Sequence, residues 1–311
     1  MVNIKMGSPA PYIGVAVAVF SVSFASIFIR WSDAPPVVIA AYRMLFASLL
    51  LLPFAVIHRE AQFKLLDRKT VSWLLVIGLV LALHFATWIT SLGMTSVASS
   101  TILVTAHPLL VGAVSILLFK ESGKWTAIGV TVGFSGVVFI SLLSLQDGSW
   151  DGNLLALIGG VFAGVYILAG RVLRKKVNLI AYAFIIYLTA TAFLFLACLI
   201  LNQPIWPYPV EEFILFILLA GVSTIFGHTV YNWSLKYVTA PLVSASLLGE
   251  PILASILAAI LLVELPSPYI FLGGALILIG VLFVLYDEIS NRKNPDDVSE
   301  GSPPDPIHFE K

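Results

Sequence analysis

Two dipeptides hold the sharpest chemistry in this sequence: Glu250-Pro251 within the apolar stretch 238–264, and His107-Pro108 within 95–121. A proline in mid-helix leaves the carbonyl four residues back without its donor. In hydrocarbon that is tolerated where the freed group faces protein or a wet cavity. A carboxylate in the middle of a membrane span costs roughly 3 kcal/mol on insertion scales and by default marks function. A carboxyl there can lower its cost by keeping its proton, and a group neutral in one conformation and charged in another could couple proton movement to a conformational cycle. The alternative for Glu250 is structural, a carboxyl hydrogen-bonded beside the freed carbonyl of Leu247. Histidine can bind, shuttle protons or simply pack, so His107 joins Glu250 as a proton-coupling candidate. Pro108 and Pro251 themselves are expected to bend helices rather than touch a ligand.

Further polar and aromatic side chains interrupt the apolar runs. His84 and Trp88 are four apart, hence on one helical face, and so are His228, Tyr231 and Asn232. They are expected to line the two mouths of a cavity, suiting an amphipathic ligand. For Trp88 the alternative is an interfacial anchor, since Trp73 to Trp88 spans about 22 Å of helix. Arg43 could snorkel to the interface, hold a substrate carboxylate, or pair with Asp33. Glu121 and Glu264 sit at span ends, where a carboxylate is already wet, and are expected to cap tight turns. Ser23, Thr101 and Ser246 are expected to bond back to their own helices.

The elements that must position these residues follow from composition. Of 311 residues, 59% are hydrophobic and 11% charged, with mean hydropathy +1.00. Too few polar residues remain to cover a soluble core, so helices in a bilayer, at about 20 residues each, are the natural solution. Net charge is zero, and no basic face suggests nucleic acid. Cys198 is alone, so no intrachain disulfide forms. Between Thr70 and Phe119 no Asp, Glu, Lys or Arg occurs, which is too long for one helix, and Gly93 with Thr95-Ser96 marks a turn inside it. Ten spans are predicted: 12–30, 37–57, 72–92, 97–119, 125–144, 153–170, 179–200, 213–235, 241–263 and 268–286. Residues 287–311 read as a polar, disordered tail. The Lys and Arg residues fall in the loops on the side of the termini, apart from Arg30 and Arg43. The positive-inside rule then places both termini in the cytoplasm. Trp31, Trp73, Trp125, Trp150 and Trp206 lie near span ends, as interfacial rings do.

Laying Pro108 on Pro251 sets Ser91 on Ser234, Leu92 on Leu235, Trp88 on Tyr231 and Glu121 on Glu264. One residue of slippage later, Gly129 meets Gly273 and Gly136 meets Gly280. Five spans per half is an odd number, so the halves enter the membrane from opposite sides. Interrupted helices at matching places of an inverted repeat are the best sequence pointer to a transporter's binding site.

The sequence resembles the drug/metabolite transporter superfamily, in its ten-helix branch with two EamA-type domains. Ala41-Tyr42-Arg43, Trp88 to Glu121, the segment from Tyr231 through Asn232, Trp233, Ser234, Leu235 and Lys236 to Tyr237, Glu250-Pro251, Glu264 and the four glycines make up the likeness, over 12–286. The first half departs from the pattern where Gly93 stands opposite Lys236 and Trp88 opposite a tyrosine. The resemblance implies an all-α integral membrane fold of two inverted five-helix repeats, 12–144 and 153–286. It implies export or exchange of a small metabolite through a cavity between them, in the cell membrane. The expected partners are a small-molecule substrate and the bilayer; no cofactor is expected, and homo-oligomerisation stays open. A phosphate dianion would want two or more Arg or Lys in the cavity. The spans offer Arg43 alone, so an amino acid or other amphipathic solute is preferred to an organophosphate or nucleotide-sugar. Alternatives of another class are a membrane-embedded enzyme with a metal among His84, His107, His228 and Glu250, and a receptor or scaffold.

Overall fold

A computed structural model describes residues 10–57, 63, 66–109, 124–147, 149–174, 176–234 and 246–293. Every regular element among them is helical, as a chain in lipid requires when each segment must satisfy its own backbone. Eight helices are long and apolar enough to cross a membrane: Tyr12–Trp31, Pro36–Ile57, Arg68–Leu92, Lys124–Leu143, Trp150–Gly170, Leu179–Ile200, Val210–Ser234 and Pro268–Asp287. Two shorter apolar helices, Val97–Leu109 and Gly249–Leu261, complete the ten as the fourth and ninth spans. Large apolar side chains such as Ile57, Leu199, Ile260 and Phe271 stay exposed on the outside, where lipid would meet them. The last helix continues to Lys293. The residues just after 286 are therefore helical and not disordered, and buried Asp287 accepts a hydrogen bond from Thr126 Oγ1 at 2.6 Å.

The principal packings map onto themselves when the two halves are exchanged. The third span lies on the sixth and the eighth on the first. The fourth lies on the sixth and the ninth on the first. The third meets the seventh as the second meets the eighth, while the second, fourth and fifth pack on their own counterparts, the seventh, ninth and tenth.

The fifth and tenth spans show the inversion directly. A Cβ on Gly129 would fall 2.5 Å from the Gly280 carbonyl oxygen, and one on Gly136 2.5 Å from that of Gly273. Gly129 matches Gly273 in the repeat but touches Gly280, and Gly136 matches Gly280 but touches Gly273. Such reciprocal contact is the mark of a two-fold relation between antiparallel helices. Only glycine lets the two backbones come so close.

Among the described residues three spans are broken, each part-way along its length. The first turns at Phe24, between helices Ala10–Ser23 and Ala25–Trp31. The fourth stops at Val104 and turns through Thr105-Ala106 before His107-Pro108. The ninth turns at Leu247-Leu248 before Gly249–Leu261, whose third residue is Pro251. The breaks in the fourth and ninth spans thus lie within one residue of matching places in the repeat, just ahead of Pro108 and Pro251. Ser23 Oγ bonds back to the Val19 carbonyl at 2.8 Å and reaches the Glu250 carbonyl at 3.5 Å, so the breaks in the first and ninth spans face each other.

Glu264 ties one end of the bundle. Its Oε2 pairs with Arg30 Nη2 at 3.2 Å, and its Oε1 accepts the Val97 N–H at 2.6 Å. Arg30 Nη1 donates to the Leu92 carbonyl at 2.8 Å. The carboxylate therefore caps the fourth helix, from the other half, and not a turn of its own. Glu121 lies outside the described residues.

Candidate functional site

The second, third and eighth spans meet around Arg43. Its side chain is fully buried, so it does not snorkel, and no ion pair joins it to Asp33. Nε donates to Thr224 Oγ1 at 2.8 Å, while neither Nη1 nor Nη2 has a hydrogen-bond partner. The guanidinium carbon lies 4.2 Å from the centre of the Phe85 ring and 6.0 Å from that of Trp88. His84 stacks on Trp88, nearly parallel, with centroids 6.0 Å apart. Its Nδ1 makes a 2.9 Å hydrogen bond with the Gly159 carbonyl on the sixth span, which fixes the ring.

His228 approaches from the eighth span, 5.4 Å from Phe85 and 6.5 Å from His84 between ring centres. The two histidines thus meet in one cluster instead of marking opposite mouths. Trp88 is buried too, with Nε1 unpartnered, which rules out the interfacial anchor.

Glu250 stands just past the break in the ninth span, its backbone carbonyl 3.5 Å from Ser23 Oγ of the first span. Like His228, it is half-buried and keeps accessible surface. The Leu247 carbonyl freed by Pro251 accepts the Glu250 backbone N–H at 3.1 Å, so it is not waiting for the carboxyl. In the first half the Val104 carbonyl freed by Pro108 faces His107 Nδ1 at 3.4 Å, and His107 Nε2 has no partner. Gly160 makes room there: a Cβ at that position would stand 2.8 Å from the same carbonyl oxygen.

Tyr231 and Asn232 diverge. Tyr231 packs on Val15, Ala18, Val19 and Val22 of the first span. Asn232 is buried and turned to the sixth span, its Nδ2 donating to Tyr166 Oη at 2.8 Å and to the His228 carbonyl at 2.9 Å. Buried Tyr187 contacts Thr229 Oγ1 at 3.0 Å, and the rings of buried Tyr166 and Tyr182 lie 6.5 Å apart. Among the described residues, no three His, Cys, Asp or Glu side chains converge to hold a metal.

Sequence reasoning missed Phe85, Thr224 and Tyr187. Phe85 looks like any core aromatic until Arg43 is seen above it. Thr224 and Tyr187 had a faint signal, as hydrogen-bonding groups inside otherwise apolar spans.

The model of the EamA-like transporter family matches this chain twice, over residues 10–142 and 150–286. The chain belongs to that family. It is 27% identical over 251 residues to the S-adenosylmethionine uptake transporter of Rickettsia prowazekii (strain Madrid E), covering 80% of this chain and 83% of that one. It is 29% identical over 208 residues to an uncharacterized transporter of Helicobacter pylori (strain J99 / ATCC 700824), covering 64% and 67%. A crystal structure 20% identical in sequence superposes with a TM-score of 0.59, over 90% of this chain and 98% of the other, and that likeness concerns the fold alone. An EamA-like transporter moves solutes and is no enzyme, and a receptor or scaffold role has no support in these relatives.

Proposed function

We propose that this EamA-like protein is a secondary transporter of the cell membrane, working by alternating access with both termini in the cytoplasm. The single observation behind this is the meeting of the broken fourth and ninth spans, one from each inverted half, beside a polar cluster inside an apolar bundle. Two halves of opposite orientation around one site can open it to each side in turn. The solute is a small metabolite such as an amino acid or an amphipathic compound, moved by export or exchange. Arg43, His84, Trp88, His107, His228, Tyr231, Asn232 and Glu250 form its surroundings, with Glu250 and His107 as the groups that could take up a proton. The aromatic walls Phe85 and Trp88 suit an amphipathic solute, and relatives named for S-adenosylmethionine uptake fit the same class. A phosphate dianion would want a second guanidinium or ammonium beside Arg43.

Uptake into proteoliposomes of a panel of amino acids and S-adenosylmethionine, with and without a pH gradient, tests this. Accumulation that follows the gradient in wild type and becomes insensitive to it in Glu250→Gln is the expected result. Normal transport by Glu250→Gln with an unchanged pH response would show that Glu250 has no part in coupling.

A further inference from the structure

Among the buried side chains whose hydrogen bonding is unfinished, Arg43 leaves two nitrogens unused. Its two terminal nitrogens have no partner, and the ion pair found among the described residues is that of Arg30 with Glu264. Buried charges are ordinarily paired, because an unpaired one loses its hydration without compensation. Here the rings of Phe85 and Trp88 stand near the guanidinium, a contact that uses its flat face and leaves the N–H edge unused. Thr224 takes Nε alone. Trp88 Nε1, a further donor, is also unpartnered. Glu250 stands just past the break in the ninth span, its backbone carbonyl 3.5 Å from Ser23 Oγ of the first span, and is partly accessible.

We infer that the Nη edge of Arg43 is the seat for a carboxylate of the transported solute, with Glu250 receiving its cationic centre and Phe85 and Trp88 bordering its apolar part. The solute class is therefore a zwitterion of the α-amino-acid type, and this rests on the transport reading above. A guanidinium edge offers a carboxylate two parallel N–H···O bonds. A neutral solute would leave those donors empty. In this conformation the Nη atoms are covered, so the seat opens as Phe85 swings away or as the third span moves against the second.

Counterflow of labelled L-phenylalanine by the full-length protein in proteoliposomes tests the seat. L-Phenylalanine methyl ester lacks the carboxylate, and 3-phenylpropionate lacks the ammonium. Each should compete roughly 10- to 100-fold more weakly than L-phenylalanine, the size expected for losing a charge-assisted pair. Arg43→Gln should bring the methyl ester level with L-phenylalanine, and Glu250→Gln should do the same for 3-phenylpropionate. If Arg43 serves only as a brace between Thr224 and Phe85, Arg43→Gln lowers the Tm but keeps the wild-type ranking, and the seat is wrong. Should Arg43→Gln not fold, Arg43→Lys replaces it: weaker discrimination supports the seat, and unchanged discrimination overturns it. A wild type that carries only neutral or purely cationic solutes from a wider panel overturns the seat and leaves transport standing. A wild type that carries nothing overturns both.

Discussion

The third and eighth spans are counterparts in the repeat, yet they are built differently. Arg68–Leu92 is an α-helix throughout, opened by Asp67, whose side chain accepts the Thr70 N–H at 2.9 Å. Val210–Ser234 begins as an α-helix but runs as a π-helix over Leu219–Thr229. Their threonines follow the local ladder. Thr87 and Thr90 bond to carbonyls four residues back, Leu83 and Ala86. Thr224 and Thr229 bond five back, to Leu219 and to Thr224. A π-helix of this length is rare, and π geometry is frequent at functional sites. Widening the turn sets Thr224 and Thr229 on one side, toward Arg43 and Tyr187, while Ser223 and Gly227 face the first span at Ser21 and Val22. One half thus supplies a fixed aromatic wall through His84, Phe85 and Trp88. The other supplies hydroxyls in a register that an α-helix would not give. Duplication set where the spans lie, and later divergence set what each presents.

The largest effect that could break this comparison is expected at Thr224. Thr224→Val removes the hydroxyl that accepts from Arg43 Nε and leaves the buried guanidinium with no hydrogen bond. It should cost about 1–3 kcal/mol in thermal or denaturant unfolding in detergent. A loss no larger than that of Thr87→Val, at a partly exposed site, would mean that the π register is incidental.

Next comes a pair of glycines at matching places. A Cβ at Gly78 would fall 2.5 Å from Thr189 Cβ and 3.1 Å from the Ile186 carbonyl oxygen, whereas one at Gly221 would meet nothing within 4 Å. Gly78→Ala should destabilise by roughly 1–3 kcal/mol through overpacking. Gly221→Ala should stabilise by roughly 0.5–1 kcal/mol through lost freedom in the unfolded chain. Equal shifts of Tm in the two variants would show that the spans are packed alike after all.

The smallest effect concerns the side-chain cap that the third span has and the eighth lacks. Hydrogen bonds from Thr70 hold the Asp67 carboxyl below the usual aspartate value. A depressed folded value means stability that is present above the unfolded aspartate pKa and is lost as pH falls through the folded one. Protection of the Thr70 amide against hydrogen exchange should therefore fall on acidification in wild type. In Asp67→Ala it should be low at every pH, and a pH-dependent protection surviving there would assign the effect to another group.

Much of the architecture was legible in the residues. Arg30, Glu264 and the uncharged runs bounded the spans, and Pro108 and Pro251 announced breaks that occur just ahead of them. Gly129, Gly136, Gly273 and Gly280 revealed the duplication, because a helix that must touch another backbone can use almost nothing else. The site was legible only as a set of residue types. Asn232 reads like His228 in a list, but one side chain turns to Tyr166 and the other to Phe85.

Those facts depend on a single strand of information, the order of apolar, polar and helix-breaking residues along the chain, and lipid enforces that order strictly because every backbone group must be bonded within its own helix. Fold class, span count, inversion and the position of the breaks follow from it. Which side chains face each other does not. The rotation and pitch of each helix arise from contacts with neighbours far away in sequence, such as Gly159 under His84, Val22 against Gly227 and Thr224 under Arg43. Only tertiary packing could gather Arg43, Phe85, His84 and His228 from three spans and leave the guanidinium edge without a partner.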